Sequence, residues 1–141
     1  MKRNNFLIIG LLALLMIIVF FFSSVSLSGG QGDEFYSLKK EKDYETIIGL
    51  IDQKVLINQP VEQWINLFEN QQKKWGNLVS YKNTGFHTET VNGKKIAKLD
   101  YLVIYSNCTV KERIELVKRR AGYRIIAYEC DDKDVNMLSE N

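Results

Sequence analysis

The residues of this chain that could carry chemistry are few and lie far apart in the sequence. The 141 residues contain a single histidine, His87, which cannot hold a metal ion alone. The two cysteines, Cys108 and Cys130, are 22 positions apart and lack the close C-x-x-C spacing of a zinc site. The sequence therefore predicts no metal centre and no cofactor.

The N-terminal segment is predicted to carry the rest of the chain out of the cytoplasm. Lys2 and Arg3 precede Phe6–Phe22, seventeen residues without a polar side chain, and Asp33 and Glu34 follow. Positive charge before an apolar run and negative charge after it place the N-terminus in the cytoplasm and the C-terminus outside. We expect the chain to be extracytoplasmic.

Two interpretations of this segment stay open. A cleaved signal peptide has about 7–15 apolar residues followed by small residues, and Ser26 and Ser28, or Ser24 and Ser26, fit the cleavage positions. A membrane-spanning helix needs about 20 apolar residues, and Phe6–Leu27 reaches 22 if three serines are tolerated. The length favours a retained anchor, with the membrane as partner, over a secreted or periplasmic product.

The remainder of the chain is electrically balanced. Lys2 and Arg3 account for the net charge of +2, which leaves 17 basic and 17 acidic residues elsewhere. A neutral domain gives no reason to expect nucleic acid as partner. The predicted organisation is a leader over residues 1–28, a spacer over 29–32, one domain over 33–131 and a polar tail over 132–141.

The first half of the domain is predicted to be helical. Residues 33–57 hold two amphipathic helices broken at the charge-rich Lys39–Asp43, with Asp43 capping the second. Pro60 then opens a longer helix that ends at Gly76, which is expected in the left-handed conformation of a C-cap, with Trp64 and Trp75 packed towards the sheet. Along this helix Trp64, Leu67, Phe68, Gln71 and Trp75 recur at helical spacing.

The second half is predicted to form four antiparallel strands joined by hairpins. Asn92-Gly93 is the signature of a two-residue type I′ turn, which pairs Val91 with Lys94 and Phe86 with Leu99. Further turns are expected near Asn107–Cys108 and at Arg120–Gly122, with a bulge at Gly85. The fold class is therefore α+β, with two to three helices on a curved four-stranded antiparallel sheet.

The strand register predicts a dimer. The expected alternation places Tyr101, Val103 and Tyr105 on one sheet face, and a second apolar set on the other. That second set, the candidate dimer face, comprises Leu102, Ile104, Val117 and Ile125. Large exposed apolar patches are rare in monomers, so we expect a homodimer.

The cysteines are expected to form a disulfide, because such bonds persist outside the cytoplasm. The hairpins place Cys130 opposite Glu112, and Cys108 in the turn before that strand. Their separation is about two strand spacings of ~4.8 Å, so the loop must fold inwards to close the bond. The alternative is two separate thiols.

The order of elements resembles the cone-shaped nuclear-transport-factor-2-like (cystatin-like) superfamily, and in particular its small exported bacterial domains of unknown function. The likeness covers roughly residues 33–131. It is carried by Asp43-Tyr44-Glu45, by Trp64…Leu67…Gln71…Trp75-Gly76 and by Leu99-Asp100-Tyr101. Such scaffolds host isomerases, dehydratases, ligand binders and assembly modules.

The resemblance implies two functions. The favoured one is a non-enzymatic binding or assembly module that engages an unknown protein or a small hydrophobic ligand. The alternative is a small cofactor-free isomerase or lyase, because enzymes of this superfamily place an acid and a tyrosine inside the cone. Asp100, flanked by Tyr101 and Tyr105, is the candidate pocket acid, although the register places it on the face opposite both tyrosines.

Overall fold

A four-stranded antiparallel sheet, in the order β1-β2-β3-β4, carries helices on one face. The computed structural model describes the backbone of residues 29–137 and the side chains of residues 29–131. The predicted leader, residues 1–28, and residues 138–141 lie outside the described residues. Over the described part of the chain, no helix is both long and apolar enough to cross a membrane.

The helices cover more of the chain than predicted. Helix α1 spans residues 29–41, followed by α2 (Tyr44–Leu50), α3 (Gln53–Asn58) and α4 (Val61–Trp75). Residues 29–32, predicted as a spacer, are therefore helical. Gly32 lets α1 lie against the sheet, because a Cβ at this position would overlap the Tyr101 hydroxyl.

The breaks between the helices follow from local chemistry. Lys42 adopts a positive φ of 62°, and the Asp43 carboxylate caps α2 by accepting from the Thr46 backbone N–H at 3.1 Å, which confirms the predicted cap. The sequence predicted two helices over residues 33–57, but the structure has three, α1, α2 and α3. The third arises because the Asp52 carboxylate accepts from the Lys54 N–H and starts α3.

Helix α4 ends as predicted at Gly76, with one difference in conformation. Gly76 has φ 85° and ψ −164°, an extended region that is essentially restricted to glycine, rather than the left-handed helical region expected. Pro60 is the N-cap rather than the first helical residue. Trp64 and Trp75 are buried, as predicted.

The strands confirm the predicted hairpins. Their bounds are β1 Leu78–Val91, β2 Lys94–Tyr105, β3 Cys108–Arg119 and β4 Gly122–Met137. Asn92 and Gly93 both have positive φ, and the pairs Val91–Lys94 and Phe86–Leu99 form as expected. The register slips between Asn83 and Gly85, where the bulge was expected.

The face covered by the helices, here called the inner face, carries the core. Burial alternates along β2 and β3, so every second side chain points into the core. The inner-face residues on these strands are Ala97, Leu99, Tyr101, Val103, Tyr105, Cys108, Val110, Glu112, Ile114 and Leu116. The opposite, outer face carries Lys98, Asp100, Arg113 and Glu115.

A bulge in β4 overturns part of the predicted dimer face. Glu115 pairs with Ala127 but Leu116 pairs with Ile125, so Ile126 is an extra residue that reverses the alternation. Ile125 is fully buried in the core, and Val117 is only 2% exposed. Of the four residues predicted for that face, Leu102, Ile104 and Val117 keep the outer register, but Val117 is buried there, so only Leu102 and Ile104 are accessible.

The C-terminal segment is also more ordered than expected. The first part of the predicted polar tail instead continues β4 to Met137, where Asn136 pairs with Thr109 and Met137 with Cys108. The reason is the length of β3, whose first residues offer backbone partners to a strand that passes beyond Cys130.

Candidate functional site

A charged cluster lies inside the cone, between the inner face of the sheet and the helices. Helix α1 points Phe35, Tyr36 and Lys39 at the sheet, since residues one turn apart share a face. Strand β3 contributes Glu112 in phase with the buried Val110 and Ile114. Lys39 and Glu112 are both buried charged residues, which are rare unless they are paired.

The Lys39 ammonium group is completely hydrogen-bonded. Its Nζ lies 2.8 Å from the Tyr105 hydroxyl oxygen, 2.8 Å from that of Tyr128 and 3.2 Å from Glu112 Oε2. An ammonium has three donors, and here each has an acceptor. The position of this lysine is therefore set by three hydrogen bonds, one of which is also an ion pair.

The acceptors are themselves held in place. The Tyr105 hydroxyl donates to Glu112 Oε1 at 2.5 Å, and the Tyr128 hydroxyl donates to Gln71 Oε1 at 3.1 Å. Gln71 in turn donates from Nε2 to the Cys130 sulfur at 3.5 Å. A continuous polar chain thus links α1, α4 and three strands through the middle of the core.

Aromatic rings surround the same ammonium. Five ring centroids lie within 4.8–6.0 Å of Lys39 Nζ. They belong to Phe35, Tyr36, Phe68, Tyr105 and Tyr128. Ring faces attract cations, and the attraction grows where water is excluded.

Burial controls the protonation of the cluster. Burial lowers the pKa of Lys39, and the nearby Glu112 carboxylate partly opposes that shift. Burial, reinforced by Glu112, raises the pKa of Tyr105, Tyr128 and Tyr36. The tyrosines therefore stay neutral, and the Tyr105 hydroxyl can donate to the carboxylate.

The cone is filled by these side chains. The cavity bordering Lys39, Phe68, Gln71 and Tyr105 has a volume of about 10 Å³, at the lower limit for one water molecule. Binding sites for small molecules commonly enclose about 300–1,000 Å³. The cavity beside Lys39 is therefore too small for a substrate in this conformation.

Asp100 lies elsewhere, on the outer face as its register predicted. Its Oδ1 accepts from Arg113 Nε at 2.7 Å, across a directly paired position. Asp100 therefore does not share the cone with Tyr101 or Tyr105, which corrects its assignment as pocket acid. It lines an outer groove of about 520 Å³, together with Lys111, Arg113, Glu129 and Asp131.

Lys39 and Glu112 were missed in the sequence. Lys39 was assigned to a charged break between helices, and Glu112 to a solvated strand face. The available signal was phase, because Lys39 follows Phe35 by one helical turn and Glu112 falls between two inward positions of β3. The charge of Lys39 and Glu112 favoured an exposed position, whereas their spacing along the helix and the strand indicated a buried one.

The cysteines are not joined by a disulfide. Cys130 lies opposite Glu112, as predicted, but Cys108 pairs with Met137 at the far end of β4. Four residues of strand, roughly 13 Å, separate the Glu112 position from Cys108. The loop does not fold inwards because Cys108 is already part of β3, where its side chain is buried.

Metal ligands are not clustered in the described residues, where no group of three or more His, Cys, Asp or Glu side chains could hold an ion.

Comparison with known proteins gave no matching family model and no match among curated proteins. A solved structure from Campylobacter jejuni, described as a candidate NTF2-like transpeptidase, has 16% identity and a TM-score of 0.50. The match covers 67% of this chain and 92% of that one. At this identity the likeness shows the fold alone, which is nuclear-transport-factor-2-like.

Proposed function

We propose that the chain is a non-enzymatic binding or assembly module displayed outside the cytoplasm. The observation that carries the proposal is the filled cone. Lys39, Glu112, Tyr105 and Tyr128 satisfy one another where an enzyme of this fold class would hold its substrate. The charge pattern around Phe6–Phe22 supports the location, by retention on an anchor or by secretion after cleavage.

The outer groove is the surface that we assign to a protein partner. It presents Asp100, Arg113 and Glu129 across neighbouring strands. Ile104, 39% exposed, is an apolar side chain on the same face. Charge of both signs next to an apolar residue suits a protein surface better than a small hydrophobic ligand.

Co-purification with matched charge variants tests this assignment. The full chain would be extracted from membranes as wild type, as Arg113→Glu in the groove and as Lys73→Glu on the exposed side of α4. Both substitutions make the same change of charge. We expect a partner that is retained by wild type and by Lys73→Glu and is lost from Arg113→Glu. An identical set of proteins from all three would overturn the assignment.

We also propose a homodimer, with a smaller contact face than the sequence predicted. With Ile125 in the core and Val117 buried, its outer face is limited to Leu102 and Ile104. Sedimentation of the purified chain with and without Ile104→Lys tests it. A dimer that dissociates in the variant supports the face, whereas a monomer in both samples refutes it.

One observation favours an isomerase or lyase as the second candidate. An acid and a tyrosine do meet inside the cone, but they are Glu112 and Tyr105 rather than Asp100 and its neighbours. This function requires the cone to open, which would expose Trp75 beside Tyr105. We expect weak quenching of tryptophan fluorescence by acrylamide, since both tryptophans are buried. Strong quenching in the folded protein would favour the enzyme.

A further inference from the structure

The polar groups around Lys39 Nζ match the requirements of one kind of ligand. Two hydroxyl oxygens at 2.8 Å and a carboxylate at 3.2 Å accept its three N–H donors. A primary ammonium has three such donors, a quaternary ammonium has none, and a neutral alcohol carries no charge for Glu112 to pair with. Hydrogen-bond count and charge therefore select a primary ammonium.

The walls of this site do not depend on the lysine. Tyr105 is fixed by Glu112 across strands β2 and β3, and Tyr128 is fixed by Gln71 of α4. Three of the five surrounding rings, those of Phe68, Tyr105 and Tyr128, also come from α4 and the sheet. The ammonium itself comes from a separate element, α1.

We propose that the cone is a binding site for primary alkylammonium ions and that the side chain of Lys39 is its resident ligand, supplied by the chain itself. Shortening this side chain empties the site and leaves the Glu112 carboxylate buried without its cation. An ammonium ion from solution then binds, because it restores the ion pair and the three hydrogen bonds together. The inference rests on the cone and not on the outer groove.

The length of the lysine side chain sets the best ligand. Lys39→Ala removes three methylene groups and the ammonium, and n-propylammonium has the same atoms. Thermal unfolding of the full-length Lys39→Ala protein would be followed with n-propylammonium, n-propanol or tetramethylammonium at constant ionic strength. A ligand that binds only the folded state raises the melting temperature in proportion to the logarithm of its concentration above Kd.

We expect n-propylammonium to stabilise Lys39→Ala, and n-propanol and tetramethylammonium to have no effect beyond that of sodium chloride. Wild type, whose site is occupied, should not respond. Adding Glu112→Gln to Lys39→Ala should weaken n-propylammonium binding by about tenfold or more, because a charged acceptor is lost. An equal response of wild type and Lys39→Ala, or no response of Lys39→Ala, would overturn the proposal.

A second measurement covers the case in which Lys39→Ala does not fold alone. Its refolding yield would then be measured against n-propylammonium concentration, beside Lys39→Met, whose apolar side chain fills the same space. Rescue of Lys39→Ala by the ammonium, without an effect on Lys39→Met, supports the proposal. Refolding that is insensitive to n-propylammonium refutes it and leaves the proposed partner surface untouched.

Discussion

Two ion pairs in this protein have the same charges and opposite surroundings. The side chains of Lys39 and Glu112 are 4% and 0% exposed, whereas those of Arg113 and Asp100 are 45% and 40% exposed. Desolvation makes a broken buried pair costly, while an exposed pair is screened by water. The contrast gives a direct comparison of the cone with the outer face.

We expect Glu112→Gln to destabilise the protein by about 3 kcal/mol or more, because the Lys39 ammonium then stays buried without its counter-ion. The matched change Asp100→Asn should cost less than about 1 kcal/mol. Urea unfolding of both variants measures the difference. Similar costs for the two changes would mean that the cone is hydrated.

The cysteines provide a second prediction at this scale. Since Cys108 and Cys130 are not bonded to each other, alkylation of the denatured chain without reductant should add two groups. In the folded protein Cys108 should be protected, because its side chain is buried and burial raises its pKa. Intact mass checks both statements. An unmodified denatured chain would show that the disulfide forms after all.

Interactions between residues close together in the sequence could be predicted, whereas interactions between distant residues could not. The Asp43 cap and the Asn92-Gly93 turn act within a few positions, so local sequence was sufficient. The Lys39–Glu112 pair joins residues 73 positions apart. No local pattern reports such a contact, which is why the principal cluster of the cone was found only in three dimensions.

At the scale of elements, two glycines should behave in opposite ways. Gly76 ends α4 with a positive φ, and a Cβ there would overlap the Ser106 hydroxyl. Gly49 lies within α2, and a Cβ there would meet nothing within 4 Å. Substitution of Gly76 is therefore governed by backbone strain, and substitution of Gly49 by helix propensity.

Gly76→Ala should lower stability by about 1–3 kcal/mol, and Gly49→Ala should raise it by up to about 1 kcal/mol. Melting temperatures of the two variants measure the effect, at roughly 4–8 °C per kcal/mol for a domain of this size. A stability gain in Gly76→Ala would contradict the conformation assigned to this cap.

The start of α3 supplies a pH-dependent prediction. The Asp52 carboxylate accepts from Arg119 Nε at 2.7 Å and caps α3, and the bond to Arg119 lowers its pKa. A carboxyl pKa lowered by folding contributes stability above the unfolded value of about 3.9, and this stability is lost as pH falls through the folded value.

Asp52→Asn keeps a good capping residue and removes the charge. We expect it to cost about 1 kcal/mol at neutral pH, with the difference from wild type shrinking below about pH 4. Denaturant unfolding at several pH values tests this. A difference that is independent of pH would assign the effect to the cap rather than to Arg119.

For the whole molecule, the order of elements and the meander could be predicted because hairpins are local. The distribution of residues between the two faces could not be predicted beyond Ile126, since one extra residue reverses the alternation. The two-layer arrangement survives this error, but the predicted apolar outer face loses Ile125 to the core. The fold was therefore more predictable than its surfaces.

Seven tyrosines in 141 residues give the molecule a predictable alkaline limit. Burial raises the pKa of Tyr36, Tyr101, Tyr105 and Tyr128. Above about pH 10 these groups ionise only in the unfolded chain, so each one removes about 1.4 kcal/mol of stability per pH unit. The lowered pKa of Lys39 acts in the opposite direction, but its effect ends near the unfolded value of about 10.4.

We therefore expect cooperative unfolding within about one to two pH units above pH 10, with tyrosinate absorbance rising in the same transition as the loss of circular dichroism. Tyr36→Phe tests the cause, because the Tyr36 hydroxyl is buried without a hydrogen-bond partner among the described residues. Removing it should leave stability at neutral pH unchanged or higher, and should move the alkaline midpoint upwards. Tyrosinate absorbance that rises fully while the protein stays folded would show that the cone admits water and hydroxide.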